Sequence, residues 1–206
     1  MAFRSLARPT PANTLLLVCD VQEKFRPLIW KFPAVVASAS ALVRAAAQLQ
    51  VPCVVTEQNP SRLGGTVPEL HALLPAGVPV LPKTQFSMCT AEVDAALAAA
   101  GAEHAVLCGI EAHVCVLQTA LALQARRVQV HVVVDGVSSQ RRGDRAVALA
   151  GLAAAGVSLT TTEAIIFQLL GDAAHPAFKP VQKGVIEHLR GAREGPEEGR
   201  GLDVLQ

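Results

Sequence analysis

The sequence predicts an α/β fold: a three-layer, doubly wound, mostly parallel six-stranded sheet with helices on both faces. Three observations predict it. Strand-sized apolar runs recur along the chain, alanine-rich stretches of helical period alternate with them, and 51% of the 206 residues are hydrophobic, enough for one full core.

Taken in order, Leu15-Leu16-Leu17-Val18-Cys19 marks a first strand over 14–19, followed by a helix over 33–49. Val51-Pro52-Cys53-Val54-Val55 marks a second strand at 51–55, and a third lies near 78–81 before a helix over 90–100, where Ala95-Ala96 and Ala98-Ala99-Ala100 are strong helix formers. Ala105-Val106-Leu107-Cys108 gives a strand over 104–109 and a helix over 114–125. Strands at 128–134 and 157–160, with helices at 143–155 and 163–170, complete the pattern. Residues 1–11 read as a flexible leader ending at Pro9 and Pro11, and 12–190 as the folded domain. The stretch 191–206 reads as a flexible tail, because it is rich in Gly and Glu and offers little apolar surface to offset ordering entropy.

Composition excludes several function classes. With 18 basic against 17 acidic residues, no basic cluster and 3% aromatics, the chain lacks the electrostatic and stacking equipment for nucleic acid. Its apolar stretches are strand-sized, short of the ~20 residues of a membrane span, so no membrane partner is expected. Five cysteines without CxxC or Cys/His ligand spacing point to a reducing compartment, hence a cytoplasmic setting. Arg4 and Arg8 in an acid-free leader allow a mitochondrial presequence as the alternative.

In a doubly wound sheet, ligands bind beyond the carboxyl ends of the strands, where strand order reverses. That rule selects Asp20 after the first strand, Lys83 after the third and Cys115 after the fourth. A thiol at a helix start is a nucleophile candidate, because unpaired N–H groups and the helix dipole favour thiolate there and can also hold an oxyanion. Asp20 serves as base and Lys83 as electrostatic partner in such a set. Taken singly, Cys115 reads equally as a small buried hydrophobe, Asp20 as a helix cap and Lys83 as a strand-end charge. Their joint placement carries the inference. The first strand-to-helix turn, Asp20-Val21-Gln22-Glu23-Lys24-Phe25, has no glycine, and there is no phosphate loop, so no nucleotide cofactor is expected.

Three segments resemble the isochorismatase-like hydrolases, the cysteine hydrolase family that also contains nicotinamidases. They are Leu17-Val18-Cys19-Asp20-Val21-Gln22, Leu81-Pro82-Lys83-Thr84-Gln85-Phe86-Ser87, and Cys108-Gly109-Ile110-Glu111-Ala112-His113-Val114-Cys115-Val116, within a resemblance spanning about residues 12–180. The resemblance implies an Asp20-Lys83-Cys115 triad, a cis Ile110–Glu111 peptide, and an oxyanion hole from the backbone N–H groups of Glu111 and Cys115. It also implies a small-molecule substrate and a homo-oligomer, dimer or tetramer. Where nicotinamidases carry an Asp-x-His metal motif, this chain has Thr56-Glu57-Gln58-Asn59-Pro60, and its six histidines show no ligand spacing, so no metal is expected. Ala112-His113 replaces the Thr-Asp often seen in the family elbow, and Glu111 beside the nucleophile is unusually polar.

Candidate pocket residues are Gln22, Phe25, Trp30, Gln58 and Phe86; for the three aromatic ones core packing fits at least as well. The expected activity is metal-independent hydrolysis of a small amide or related metabolite through Cys115. The alternative is a catalytically quiet protein of this fold acting through protein interactions. A redox-sensing thiol is disfavoured, because no resolving cysteine lies near Cys115 in the sequence.

Overall fold

The computed structural model describes residues 8–194, with side chains through Arg190. Six strands form one sheet: β1 (Thr14–Cys19), β2 (Cys53–Gln58), β3 (Val80–Lys83), β4 (His104–Ile110), β5 (Gln129–Ser138) and β6 (Ser158–Thr160). Their order is β3-β2-β1-β4-β5-β6, and every pairing is parallel. The sequence reverses direction across the sheet between β1 and β4, so the loops leaving those two strands part to either side and open a crevice.

Helices cover both faces. They are α1 (Phe32–Leu49), α2 (Pro60–Leu63), α3 (Pro68–His71), α4 (Ala91–Ala99), α5 (Leu117–Ala125), α6 (Arg142–Ala154), α7 (Thr162–Leu170) and α8 (Phe178–Glu194). Alternation along β1 divides the core in two. Leu16 and Val18 face α1, α7 and α8, whereas Leu15, Leu17 and Cys19 face α4, α5 and α6. The whole of β1 is buried, which explains a run with no polar alternation. By length and composition α1 could cross a membrane, but it is 67% buried, packed against β5, α7 and α8.

Four differences from the sequence-based expectation have local causes. β2 and β3 begin and end later than expected, so that Lys83 is the last residue of β3 rather than a residue beyond it. β5 runs four residues past the expected end at 134, through Asp135 and Gly136, residue types that usually signal a strand's end; a register shift against β4 between Leu107 and Gly109 absorbs the irregularity. α8 was not expected at all. Its apolar residues are sparse, but Val181 and Val185, one turn apart, are buried against α1. It continues as helix through Glu194, past the expected start of the tail at 191, whereas residues 195–206 and the leader through 7 lie outside the described residues. In the leader's described part, Pro11–Asn13 forms a 3-10 turn closed by Thr10 and Asn13.

Candidate active site

Asp20 leaves β1 in the left-handed region, with φ 55°. Aspartate tolerates this better than most residues, at a cost of roughly 1–2 kcal/mol. The turn aims its carboxylate along the carboxyl edge of the sheet, where Oδ1 accepts a hydrogen bond from Thr56 Oγ1 at 2.8 Å and Oδ2 one from Lys83 Nζ at 2.7 Å. Lys83 reaches Asp20 across the end of β2. Its ammonium also donates to Gln58 Oε1 at 2.7 Å, Phe86 O at 2.9 Å and Gln85 O at 3.2 Å. The two side chains are 0% and 2% exposed, so the charges hold each other in a dry setting that only this full set of partners makes tolerable.

Cys115 arrives from the other side of the crevice. β4 ends at Ile110, Glu111 turns left-handed with φ 54°, and the chain winds through a wide π turn over Ala112–Val116 before α5 begins. Val116 N donates to Glu111 O at 3.3 Å, the five-residue step of such a turn. The expected helix over 114–125 therefore begins with this turn, and Cys115 sits inside it. The expected cis peptide between Ile110 and Glu111 is not present: among the described residues every peptide is trans. The reversal is made instead by Gly109, with φ 134°, and by left-handed Glu111. Thr119 Oγ1 donates to Cys115 O at 2.6 Å and accepts from Met88 N at 2.8 Å, tying the turn to the loop before α4.

No hydrogen bond runs from Cys115 Sγ to Asp20 or Lys83. The thiol of Cys19 lies between them instead, donating to Asp20 Oδ2 at 3.5 Å and sharing a buried cluster with Cys115. Burial pushes the Cys19 thiol well above its ordinary pKa, helped by Cys115 and the Asp20 charge. A second thiol therefore sits in the same buried cluster as Cys115, contrary to the expectation from sequence, since residues remote along the chain meet where β1 and β4 pair. Cys53 is likewise pushed up to about 12 by burial, and burial raises Cys89 and Cys108.

A cavity of about 490 Å³ opens over Cys115, and Phe25, Gln58 and Phe86 line it as expected. Gln22 does not line it. It is fully buried, with Nε2 donating to the carbonyls of Gln58 and Gly64 and Oε1 accepting from Gln58 N, so it clamps the loop after β2. Trp30 is also absent from the lining; the guanidiniums of Arg142 and Arg145 lie 5.6 and 5.9 Å from its ring. Sequence reasoning missed the remaining polar wall, namely Asn59 and the side chains of Glu111, His113, Gln140, Arg141 and Asp144. The strand-end rule would have reached the last three had the full length of β5 been legible. A second cavity, about 340 Å³, flanks Lys83 on the β3 side without reaching the thiol.

Away from the site, His104 and His131 meet in the sheet, with Nδ1 and Nε2 3.0 Å apart. Glu57, in the segment that departs from the nicotinamidase metal motif, accepts from Thr66 N at 2.6 Å and Thr66 Oγ1 at 2.8 Å.

Fold and site together define a doubly wound α/β protein whose polar cluster sits at the strand-order reversal, the layout of the isochorismatase-like hydrolases. The chain belongs to that family: the isochorismatase domain model matches residues 14–164. It is 47% identical over 182 residues to isochorismatase domain-containing protein 2 of Macaca fascicularis, covering 88% of this chain and 87% of that one. Among solved structures it is similar to the MAR1 ribonuclease of Caenorhabditis elegans, at 46% identity and TM-score 0.85, covering 87% of this chain and 93% of that one. The fold, at 20% identity and TM-score 0.75, also matches the Escherichia coli YcaC gene product, an octameric hydrolase of unknown specificity, covering 95% of this chain and 94% of that one.

Proposed function

We propose that the chain is a metal-independent thiol hydrolase of a small amide or related metabolite. The observation that carries this reading is the convergence of Asp20, Lys83 and Cys115 beside an open cavity of metabolite size. Asp20 takes the thiol proton, and Cys115 Sγ attacks the carbonyl carbon. The tetrahedral oxyanion is held by the N–H groups of Glu111 and Cys115 at the opening of the π turn. Collapse expels the amine, protonated by Asp20, and leaves a thioester. Water activated by Asp20 then cleaves the thioester, releasing the acid and restoring the thiol. Lys83 holds the Asp20 carboxyl in place through the proton transfers, and Gln58 holds Lys83.

The C. elegans relative bears the name of a ribonuclease, and a quiet interaction protein is the other reading. Neither is favoured by a wall that carries Glu111 and Asp144 beside the thiol, since carboxylates repel a polyanion and a docking protein needs no buried lysine–carboxylate pair. The deciding experiment is turnover of a panel of small amides, N-carbamoyl compounds, isochorismate and RNA by wild type and by Cys115→Ala, with metals added and with metals chelated. Chelator-insensitive hydrolysis of an amide, lost in Cys115→Ala, is expected. RNA cleavage, or turnover that survives Cys115→Ala, would overturn the proposal.

A further inference from the structure

The side chain of Glu111 has no part in the chemistry described above, which uses only its backbone, yet it is only 12% exposed and lines the cavity of Cys115. Its Oε1 accepts a hydrogen bond from Gln140 Nε2 at 2.7 Å. Its Oε2 is buried and has no hydrogen-bond partner among the described residues. A buried carboxylate oxygen without a donor costs free energy that a ligand can return.

Its polar neighbours are each engaged elsewhere as well. The ring of His113 stands 3.4 Å from Oε2, but its Nδ1 also meets Ser139 Oγ at 3.0 Å, and its Nε2 leans toward Asp144 Oδ2 at 3.9 Å. Arg141, also in the wall, has a side chain 85% exposed and stands 3.8 Å from Asp144. Two buried cations are engaged elsewhere: Lys83 meets Asp20, Gln58 and two carbonyls, and Arg145 donates to the carbonyls of Val134 and Val137. The wall thus presents two carboxylates, Glu111 and Asp144, with one partly exposed histidine and one largely exposed arginine.

We infer that Glu111 sets the charge specificity of the cavity, selecting substrates that carry an ammonium group beside the scissile carbonyl and rejecting carboxylated ones. This rests on Cys115 as the nucleophile proposed above, and it names the substrate class that site takes. In a partly desolvated cavity one full charge discriminates cation from anion by about tenfold or more.

The test uses three methanethiosulfonate probes of one warhead on the full chain: methyl (neutral), 2-aminoethyl (cationic) and 2-sulfonatoethyl (anionic). Rates are read at the Cys115 peptide by mass spectrometry and divided by each probe's rate with a free model thiol. Wild type is expected to favour the cationic over the anionic probe at least tenfold, and Glu111→Gln, which keeps the shape and the Gln140 contact, to lose most of that preference. A wild-type ratio near that of the free thiol overturns the inference without any variant. So does a preference that Glu111→Gln leaves intact, while brisk reaction with the neutral probe would leave the thiol reading standing. Slow reaction of Cys115 with all three probes would instead bring down the nucleophile, and the inference with it.

Discussion

Asp20 concentrates the residue-scale argument. It adopts a strained backbone, carries a buried charge and accepts from Thr56, Lys83 and Cys19. Removing Lys83 strands that charge. For Lys83→Met we expect a loss of about 3–5 kcal/mol in urea unfolding, together with loss of hydrolysis. Thr56→Val removes only one neutral donor; the expected cost is about 1–3 kcal/mol, with a weaker effect on turnover. Equal destabilisation by the two variants would argue that Asp20 is not held as an ion. Thiol labelling separates the cysteines. Burial raises Cys19, Cys53, Cys89 and Cys108, so iodoacetamide near neutral pH is expected to modify Cys115 first. Uniform slow labelling of all five would count against the nucleophile. Of the triad, residue types and their place after strands were legible in the sequence. The Cys19 contact was not, because it arises only when β1 and β4 lie side by side.

At the scale of elements, β4 shows how a strand positions chemistry. Gly109 sits so close to β1 that a Cβ would land on the Cys19 carbonyl oxygen and lie 2.7 Å from Cys19 Cβ. With φ 134° as well, Gly109→Ala is expected to cost about 3 kcal/mol and to slow Cys115 alkylation, measured together by thermal unfolding and labelling. An unchanged melting temperature would refute this account of the crossing. The pairing of β4 with β5 also buries His104 against His131. Burial, and then repulsion from His104, holds the His131 imidazole down at about 4; His104 is lowered too, by burial. Both rings are thus neutral in the folded chain, while the unfolded chain binds protons below pH ~6.5. Their contribution to stability is complete above that pH and declines as pH falls toward 4, by roughly 2–3 kcal/mol. The double variant His104→Leu, His131→Leu should flatten unfolding free energy against pH over that window; an unaltered slope would assign the acid sensitivity elsewhere.

For the whole molecule, two helices on one face leave apolar side chains in solvent: Leu121 on α5 is 43% exposed and Val147 on α6 is 74% exposed. The segment from Ala146 to Gly156 carries no charge. Such a face suits contact with another chain, and association is expected in sedimentation at micromolar concentration; a monomer would contradict it. E. coli YcaC, which shares the fold, is octameric, but that assembly belongs to that protein.

The sequence by itself determined the doubly wound architecture, because apolar runs and helical stretches alternate in a way that only a sheet covered on both faces can bury. It also placed Asp20, Lys83 and Cys115 at the same edge, since position after a parallel strand is a matter of chain direction. Tertiary structure decided the rest. The length of β5, and with it the placing of Gln140, Arg141 and Asp144 in the cavity wall, depends on pairing with β4 across a bulge that no local pattern announces. Gln22 became a clamp because the loop after β2 offers its backbone to that amide. Glu111 became a buried, half-satisfied carboxylate because two successive backbone reversals, at Gly109 and at Glu111 itself, carry it into the wall beside Cys115. Chain direction can be read one residue at a time; what a side chain touches is settled by neighbours that lie far away in sequence.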